Sequence, residues 1–266
     1  MWEADLEAAA RRRLAWLIGA VAAVLALIGG WYWYSTRGSA PEPAPTPVAS
    51  APAPAEPAIQ HPLPAGSEAA ALPALNDSDA LVHDSLAGVL GRESVEQLLV
   101  PQNLVRHIVV TVDNLPRKKV AVELRPLKAT AGQTQVAAQG DIVTLSPDNF
   151  ARYAPLMRVL EKTDVKALAL VYERLYPLFQ QAYEDLGYPG KYFNDRLVEV
   201  IDHLLQTPEP AGPLQLTQPK VFYEYADADL ESRSAGQKLL LRMGPANERI
   251  IKTKLRELRA EILTKR

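Results

Sequence analysis

Cysteine is absent from all 266 residues. That excludes a disulfide, a thiolate nucleophile and a cysteine-bound metal. Histidine is scarce as well. His61, His83, His107 and His203 are the four, and no pair has the His-x-x-x-His spacing that puts two zinc ligands on one helix face. The chain has no phosphate-cradling GxxxxGK[S/T], no GxGxxG, no GxSxG and no HExxH. An excess of positive charge is also missing: from Ala74 to Arg266 there are 25 Lys/Arg and 25 Asp/Glu. A nucleic-acid binder would show a basic balance, so nucleic acid is not an expected partner. No cofactor and no metal follow from this composition.

The N-terminal region has a long stretch without charge. Leu14–Tyr34 holds 21 uncharged residues and ends in Trp31-Tyr32-Trp33-Tyr34. A bilayer core of about 30 Å needs about 20 helical residues. A helix apolar on every side must lie in lipid or be buried. Arg11, Arg12 and Arg13 abut the start of this run and only Arg37 follows closely. The positive-inside rule then leaves residues 1–13 in the cytoplasm and translocates the rest. The aromatic end of the run suits the far interface. A cleaved signal peptide shares the basic start, but its apolar region is shorter and ends in small residues. The expectation is a single-pass anchor in a bacterial inner membrane, with the C-terminal domain in the periplasm.

Residues 35–73 are expected to be a disordered Pro/Ala-rich linker. Between Pro41 and Pro73 stand ten prolines and ten alanines, with Glu42, Glu56 and Glu68 the only charges. Such a stretch cannot bury a core. Proline-rich spacers favour polyproline II, so its full extension is on the order of 100 Å. Pro41-Glu42-Pro43-Ala44-Pro45 could form a groove-binding ligand, although a passive tether is the simpler reading.

The remainder, residues 74–266, is long enough for one domain with a sizeable apolar core, and its patterning predicts a mainly α-helical fold with a minor β-hairpin. Ser78 is placed to cap a helix ending at Leu90, with Gly91 as terminator. Ser94 opens a short helix. Pro101 leads into Asn103–Asn114, with Leu104, Ile108, Val109 and Val112 on one face. Val120–Val122, Gln135–Ala137 and Ile142–Leu145 are strand-like, turning at Gly140-Asp141, and predict a small hairpin. Ser146-Pro147 reads as a cap with proline at the first helical position. Thr163 precedes the longest helix, about Asp164–Leu186, kinked at Pro177 and ended by Gly187. Asn194–Gln206 is a further helix and Val221–Tyr225 an isolated extended segment. Ser234 caps a helix to Met243, Gly244-Pro245 breaks the chain, and a final helix runs to about Leu263.

Several strings across the domain carry a resemblance. They are Leu75–Ala80 (LNDSDA), Thr111–Leu115 (TVDNL), Tyr153–Pro155 (YAP), Arg174–Leu178 (RLYPL), Leu186–Pro189 (LGYP), Phe193–Leu197 (FNDRL), Ile201–Leu205 (IDHLL) and Lys238–Pro245 (KLLLRMGP). With these the domain resembles the bacterial family catalogued as domain of unknown function 3014. The resemblance implies an envelope protein of Gram-negative bacteria, often behind one membrane span and a Pro/Ala-rich linker. It brings no activity, ligand or catalytic residue. In that family the middle position of Tyr153-Ala154-Pro155 tends to be an acid. Ala154 stands there in this chain, which weakens the string as a catalytic candidate.

The most site-like group lies on the helix Asn194–Gln206. Asp195, Glu199 and Asp202 recur at i, i+4 and i+7 with His203 beside them, a spacing able to hold a hard metal or exchange protons. It equally makes the solvated face opposite Leu197, Val198, Ile201, Leu204 and Leu205. At the start of the same helix, Tyr192, Phe193 and Arg196 suit a partner surface, while Asn194 or Asp195 suits a cap. Tyr172, Arg174, Tyr176 and Tyr183 form an aromatic stripe, either core or a sugar- or peptide-binding groove. On the last helix Ile251, Leu255, Leu258 and Ile262 follow a short seam flanked by Arg249, Lys252, Lys254, Arg256 and Arg259. It is either a docked C-terminal helix or a surface for a partner or an anionic polymer. The leading functional expectation is a non-enzymatic adaptor or scaffold that binds an envelope protein or cell-wall component. The alternative is a periplasmic carboxylate-dependent hydrolase or lyase using Asp195, Glu199, Asp202 and His203.

Overall fold

The computed structural model describes residues 59–63 and 72–264. The predicted span Leu14–Tyr34 lies outside the described residues, and among those no helix is long and apolar enough to cross a membrane. The domain is mainly helical. A short 3-10 turn, Leu75–Asp77, precedes α1 (Asp79–Leu90), α2 (Arg92–Leu98) and α3 (Leu104–Asn114). Next come a hairpin, β1 (Val136–Gln139) and β2 (Ile142–Leu145), and then α4 (Pro147–Ala151), α5 (Ala154–Lys162), α6 (Val165–Asp185) and α7 (Phe193–Leu205). β3 (Gln215–Thr217), β4 (Glu224–Tyr225), α8 (Ala228–Glu231), α9 (Ala235–Met243) and α10 (Pro245–Thr264) complete it.

Local signals start and stop many of these helices. Ser146 accepts a hydrogen bond from the Asp148 amide with Pro147 behind it. Asp164, next to the expected Thr163, accepts from Lys166 and Ala167 at the start of α6. Ser234 accepts from Gln237 at the start of α9. Gly91, Gly187 and Gly244 lie at positive φ just past α1, α6 and α9, where a side chain would be strained. α6 continues through Pro177, whose ring is exposed.

Other starts depend on distant partners. Ser78 does not cap α1 with its side chain; its hydroxyl donates to the Leu75 carbonyl. The opening amides of α3 are instead held by Asp79, whose carboxylate accepts from Asn103 at 2.7 Å and Leu104 at 3.0 Å. This carboxylate also opposes the positive end of the helix dipole. Asn103 itself sits at φ 53, the left-handed turn that lets the chain enter α3.

The sheet corrects the expected hairpin. Four antiparallel strands run in the order β1-β2-β3-β4. β1 and β2 turn at Gly140, as the pattern predicted. β2 then pairs with β3 through Val143 and Leu216. The end of the Val221–Tyr225 segment is also not isolated, since Tyr225 pairs with Leu216. β3 is only three residues long, too short for a period-2 signal, and it pairs across all the helices between Pro147 and Leu205. Val120–Val122 forms no strand; a 3-10 turn follows at Val122–Leu124.

The core follows the α3 and α6 stripes. Leu104, Val105 and Val109 pack with Leu175, Leu178, Phe179, Ala182, Tyr183 and Phe193. Phe179 stacks on Phe193 with ring centres 5.9 Å apart. A second cluster joins Met157, Val200, Leu204, Leu240 and Met243 to Ile251 and Leu255 of α10. Ile262, near the end of α10, packs with Val198 and Ile201 of α7. The terminal helix is therefore docked on the domain, and its apolar seam faces inward.

Gly244 marks where α9 meets α10. A Cβ there would lie 2.5 Å from the Phe150 ring, at a backbone φ of +88°. Gly244→Ala should therefore cost both left-handed backbone strain and overpacking, about 3 kcal/mol in total. Urea unfolding followed by ellipticity at 222 nm measures it; a loss below about 1 kcal/mol would show that Phe150 and the turn relax freely.

Candidate functional site

α7 presents the acids expected to form a site, but they diverge to separate partners. Asp202 holds Arg259 of α10 through two hydrogen bonds, 2.6 and 2.9 Å. This is a bidentate, partly exposed pair between helices. Glu199 is exposed and pairs with Arg196 at 2.8 Å. His203 contacts the Ser234 hydroxyl at 2.8 Å, and burial lowers its pKa more than nearby Glu199 raises it. It is therefore held in the neutral form around pH 7. Asp195 accepts the backbone amides of Gln60 and His61. Among the described residues no three or more His, Asp or Glu side chains are grouped to hold a metal ion.

The residues expected at a partner surface also separate. Phe193 is only 1 % exposed and belongs to the core, which corrects its place among surface candidates. It is buried because α7 begins there and its ring meets Phe179 and Tyr183. Arg196 turns inward, Arg256 is exposed, and Arg259 is engaged by Asp202. Neither Asn194 nor Asp195 caps α7. Gln180 of α6 accepts from the Phe193 amide at 2.8 Å, and the Tyr176 hydroxyl accepts from Asn194 at 3.2 Å. The start of α7 is thus satisfied by a neighbouring helix, which frees the Asp195 carboxylate for other work.

Asp113 brings three distant parts of the chain together. It lies on α3 and its side chain is 5 % exposed. Its carboxylate accepts from Arg117 at 2.5 Å, Arg196 Nε at 3.1 Å and the Tyr188 hydroxyl at 3.2 Å. Arg196 also donates to the Asp113 carbonyl at 2.9 Å. For Arg196, burial alone would lower the pKa, but the charges of Glu199 and Asp113 outweigh it and raise the value. Tyr183, beside this cluster, is pushed up to about 12, chiefly by burial and then by Asp113. A buried carboxylate with this much pairing is held in one place. It fixes α3, the turn after α6 and α7 in register. No residue in this cluster is left over as an unpartnered base or nucleophile, so its geometry is that of a brace. The sequence did contain a signal: Asp113 stands four residues after the core residue Val109, a charge on an apolar stripe, with Arg117 four residues further on.

A second constellation lies at the start of α7. Asp195 accepts the amides of Gln60 at 3.0 Å and His61 at 2.7 Å. Asn194 donates to the His61 carbonyl at 2.9 Å, and the Tyr192 hydroxyl accepts the Leu63 amide at 2.9 Å. Behind them, Tyr172 donates to Asn194 Oδ1 and Tyr176 donates to Gln180. Burial raises the pKa of both tyrosines, so their hydroxyls remain neutral. Residues 59–63 were expected to belong to an unstructured tether. Here they are bound to the domain through backbone groups, which composition does not encode. A cleft of about 290 Å³ lies elsewhere, lined by Glu93, Gln97, Arg158 and Lys162 among others, and contains none of the α7 acids.

A family model described as a protein of unknown function (DUF3014) matches residues 104–259, more than half of the chain. The chain belongs to this family. The DUF3014 match contains Asp113, Arg117, Tyr188 and Arg196 together, so the whole brace lies within it. It also contains Tyr192, Asn194 and Asp195, but not the segment at residues 59–63 that they hold. No curated protein and no solved structure matches the chain.

Proposed function

We propose that this DUF3014 chain is a membrane-anchored adaptor of the Gram-negative envelope. Its helical domain is carried on the periplasmic side and grips another envelope protein. The anchor is the uncharged run Leu14–Tyr34 behind Arg11–Arg13, and of the linker 35–73 the part before the docked residues 59–63 supplies reach. The observation that supports gripping is at the tip between β3 and β4. Val221 is 78 % exposed and the adjacent Phe222 is 79 % exposed. Two large apolar neighbours projecting from one loop are unfavourable in water, and an aromatic anchor of this kind fits a pocket on a protein partner. The balanced charge of the domain fits a protein surface better than an anionic polymer.

In-cell crosslinking of the full-length protein tests the reading. A defined envelope protein should be captured, and capture should fall at least tenfold when Val221→Ser and Phe222→Ser are combined. Both side chains are in solvent, so folding should be unaffected. Capture no higher than with a chain limited to residues 1–73 would overturn the adaptor.

A further inference from the structure

The geometry points to a second binding site, a groove at the start of α7 that recognises a bent peptide segment. Residues Ile59–Leu63 are its built-in and displaceable occupant. This site shares no residue with the β3–β4 tip and does not depend on the adaptor reading.

The contacts define the ligand class. Asp195 takes two successive backbone amides with its two carboxylate oxygens. Asn194 takes the next carbonyl and Tyr192 the amide two residues further on. Each of these contacts is to peptide backbone. They read a main chain that bends at Gln60 and His61, which turns two successive amides toward one carboxylate, and Pro62 fixes φ just after the bend. Leu63 packs against the main core cluster, which includes Tyr176, and its amide meets the Tyr192 hydroxyl. The recognised pattern is two residues with free amides, a proline and then an apolar residue. Backbone contacts supply affinity while the apolar contact of Leu63 supplies selectivity.

The groove is built independently of the segment. Asn194 is fully buried, and its amide and side-chain oxygen are already bonded to Tyr176 and Tyr172. That leaves its side-chain NH₂ aimed outward in one orientation. Asp195 is free to accept because Gln180 and Tyr176 satisfy the start of α7. The present occupant is also imperfect. His61 Nδ1 is enclosed with no hydrogen-bond partner among the described residues, a cost that a different residue at that position avoids. Gln60 and Pro62 remain exposed. A segment of another protein with the same backbone pattern and a better second residue would therefore displace it.

The test uses the full chain in detergent. Pro62→Gly with Leu63→Ser weakens the built-in occupant. A fluorescent peptide with the sequence of residues 57–67 (PAIQHPLPAGS) is then titrated to millimolar concentration, the effective concentration of a short flexible tether. It should bind the double variant at least tenfold more tightly than the wild-type chain. Adding Asp195→Ala should weaken that binding at least tenfold. Equal binding to wild type and variant, or no binding to the variant at millimolar peptide, would overturn the site. Hydrogen exchange on the wild-type chain gives a reading independent of any variant. The Gln60 and His61 amides should exchange at least tenfold more slowly than in the free peptide; unprotected amides would refute the docked segment.

Discussion

Asp113→Ala should lower the unfolding free energy of the domain by about 3–4 kcal/mol, because it removes the buried carboxylate of an ion pair and leaves its partner only a solvent-exposed one. Arg196 has a side chain only 18 % exposed, and without Asp113 it keeps Glu199, which is 66 % exposed, as its ion-pair partner. The Tyr188 hydroxyl and the exposed Arg117 lose the same acceptor. Asp113→Asn should cost less, about 1–2 kcal/mol, since an amide oxygen still accepts from Arg196. Glu199→Gln should cost under about 0.5 kcal/mol because that pair is open to water. The order Ala, then Asn, then the Glu199 variant is the diagnostic result. Equal small losses in all three would show that the cluster is peripheral to the fold. Ellipticity at 222 nm in urea is the right readout. Tryptophan fluorescence would not report on the domain, because Trp2, Trp16, Trp31 and Trp33 all precede it. For a domain of this size the Ala variant should melt roughly 6–16 °C earlier.

Lys252→Met should be at least as damaging, at about 3–5 kcal/mol. Lys252 is 3 % exposed and Glu248, one turn earlier on α10, is 2 % exposed. The ammonium lies 2.8 Å from Glu248, 3.0 Å from Glu209 and 2.7 Å from the Thr207 carbonyl. Burial pushes the Glu248 pKa up despite the opposing pull of Lys252. For Lys252, burial is outweighed by the two carboxylates and its pKa rises. Lys252 therefore carries its charge through the neutral range, and its stabilising effect is present below its ordinary pKa and lost only as pH rises through the raised value. Removing it leaves Glu248 buried without a counter-charge. Replacing both, as Glu248→Leu with Lys252→Met, should recover most of the loss, because an apolar pair of similar volume suits a buried site. A double variant as unstable as the single one would mean that the Thr207 and Glu209 contacts, rather than the buried pair, hold α10 in place.

Both predictions concern charges whose partners the linear pattern does not show. Lys252 reads as one of several cations along an amphipathic terminal helix, and Asp113 as a charge on the apolar stripe of α3. Their weight comes from what the fold folds over them. α10 lies against the segment Thr207–Glu209, and α3 lies against α7 and the turn at Tyr188. The same reasoning explains why the α7 acids looked like a site. Helical spacing places Asp195, Glu199, Asp202 and His203 near one another along a helix, but their partners come from residues 60–61, Arg196, Arg259 and Ser234. Spacing along a helix decides which side chains share a face; it does not decide what that face meets.

The sequence alone determined the helical class of the domain, most helix boundaries and the family. Those depend on short-range physics: a serine or aspartate bonding an amide two or three residues on, a glycine at positive φ, a stripe repeating every 3.6 residues. Tertiary structure alone decided the four-stranded sheet, the starts of α3 and α7, the Asp113 brace, the buried Lys252 pair and the seating of Ile59–Leu63. In each of these a group is satisfied by a residue far away in the chain. Burial makes such pairings obligatory, because a stranded charge or amide is costly away from water. Which distant residue answers each one is set only when the helices pack.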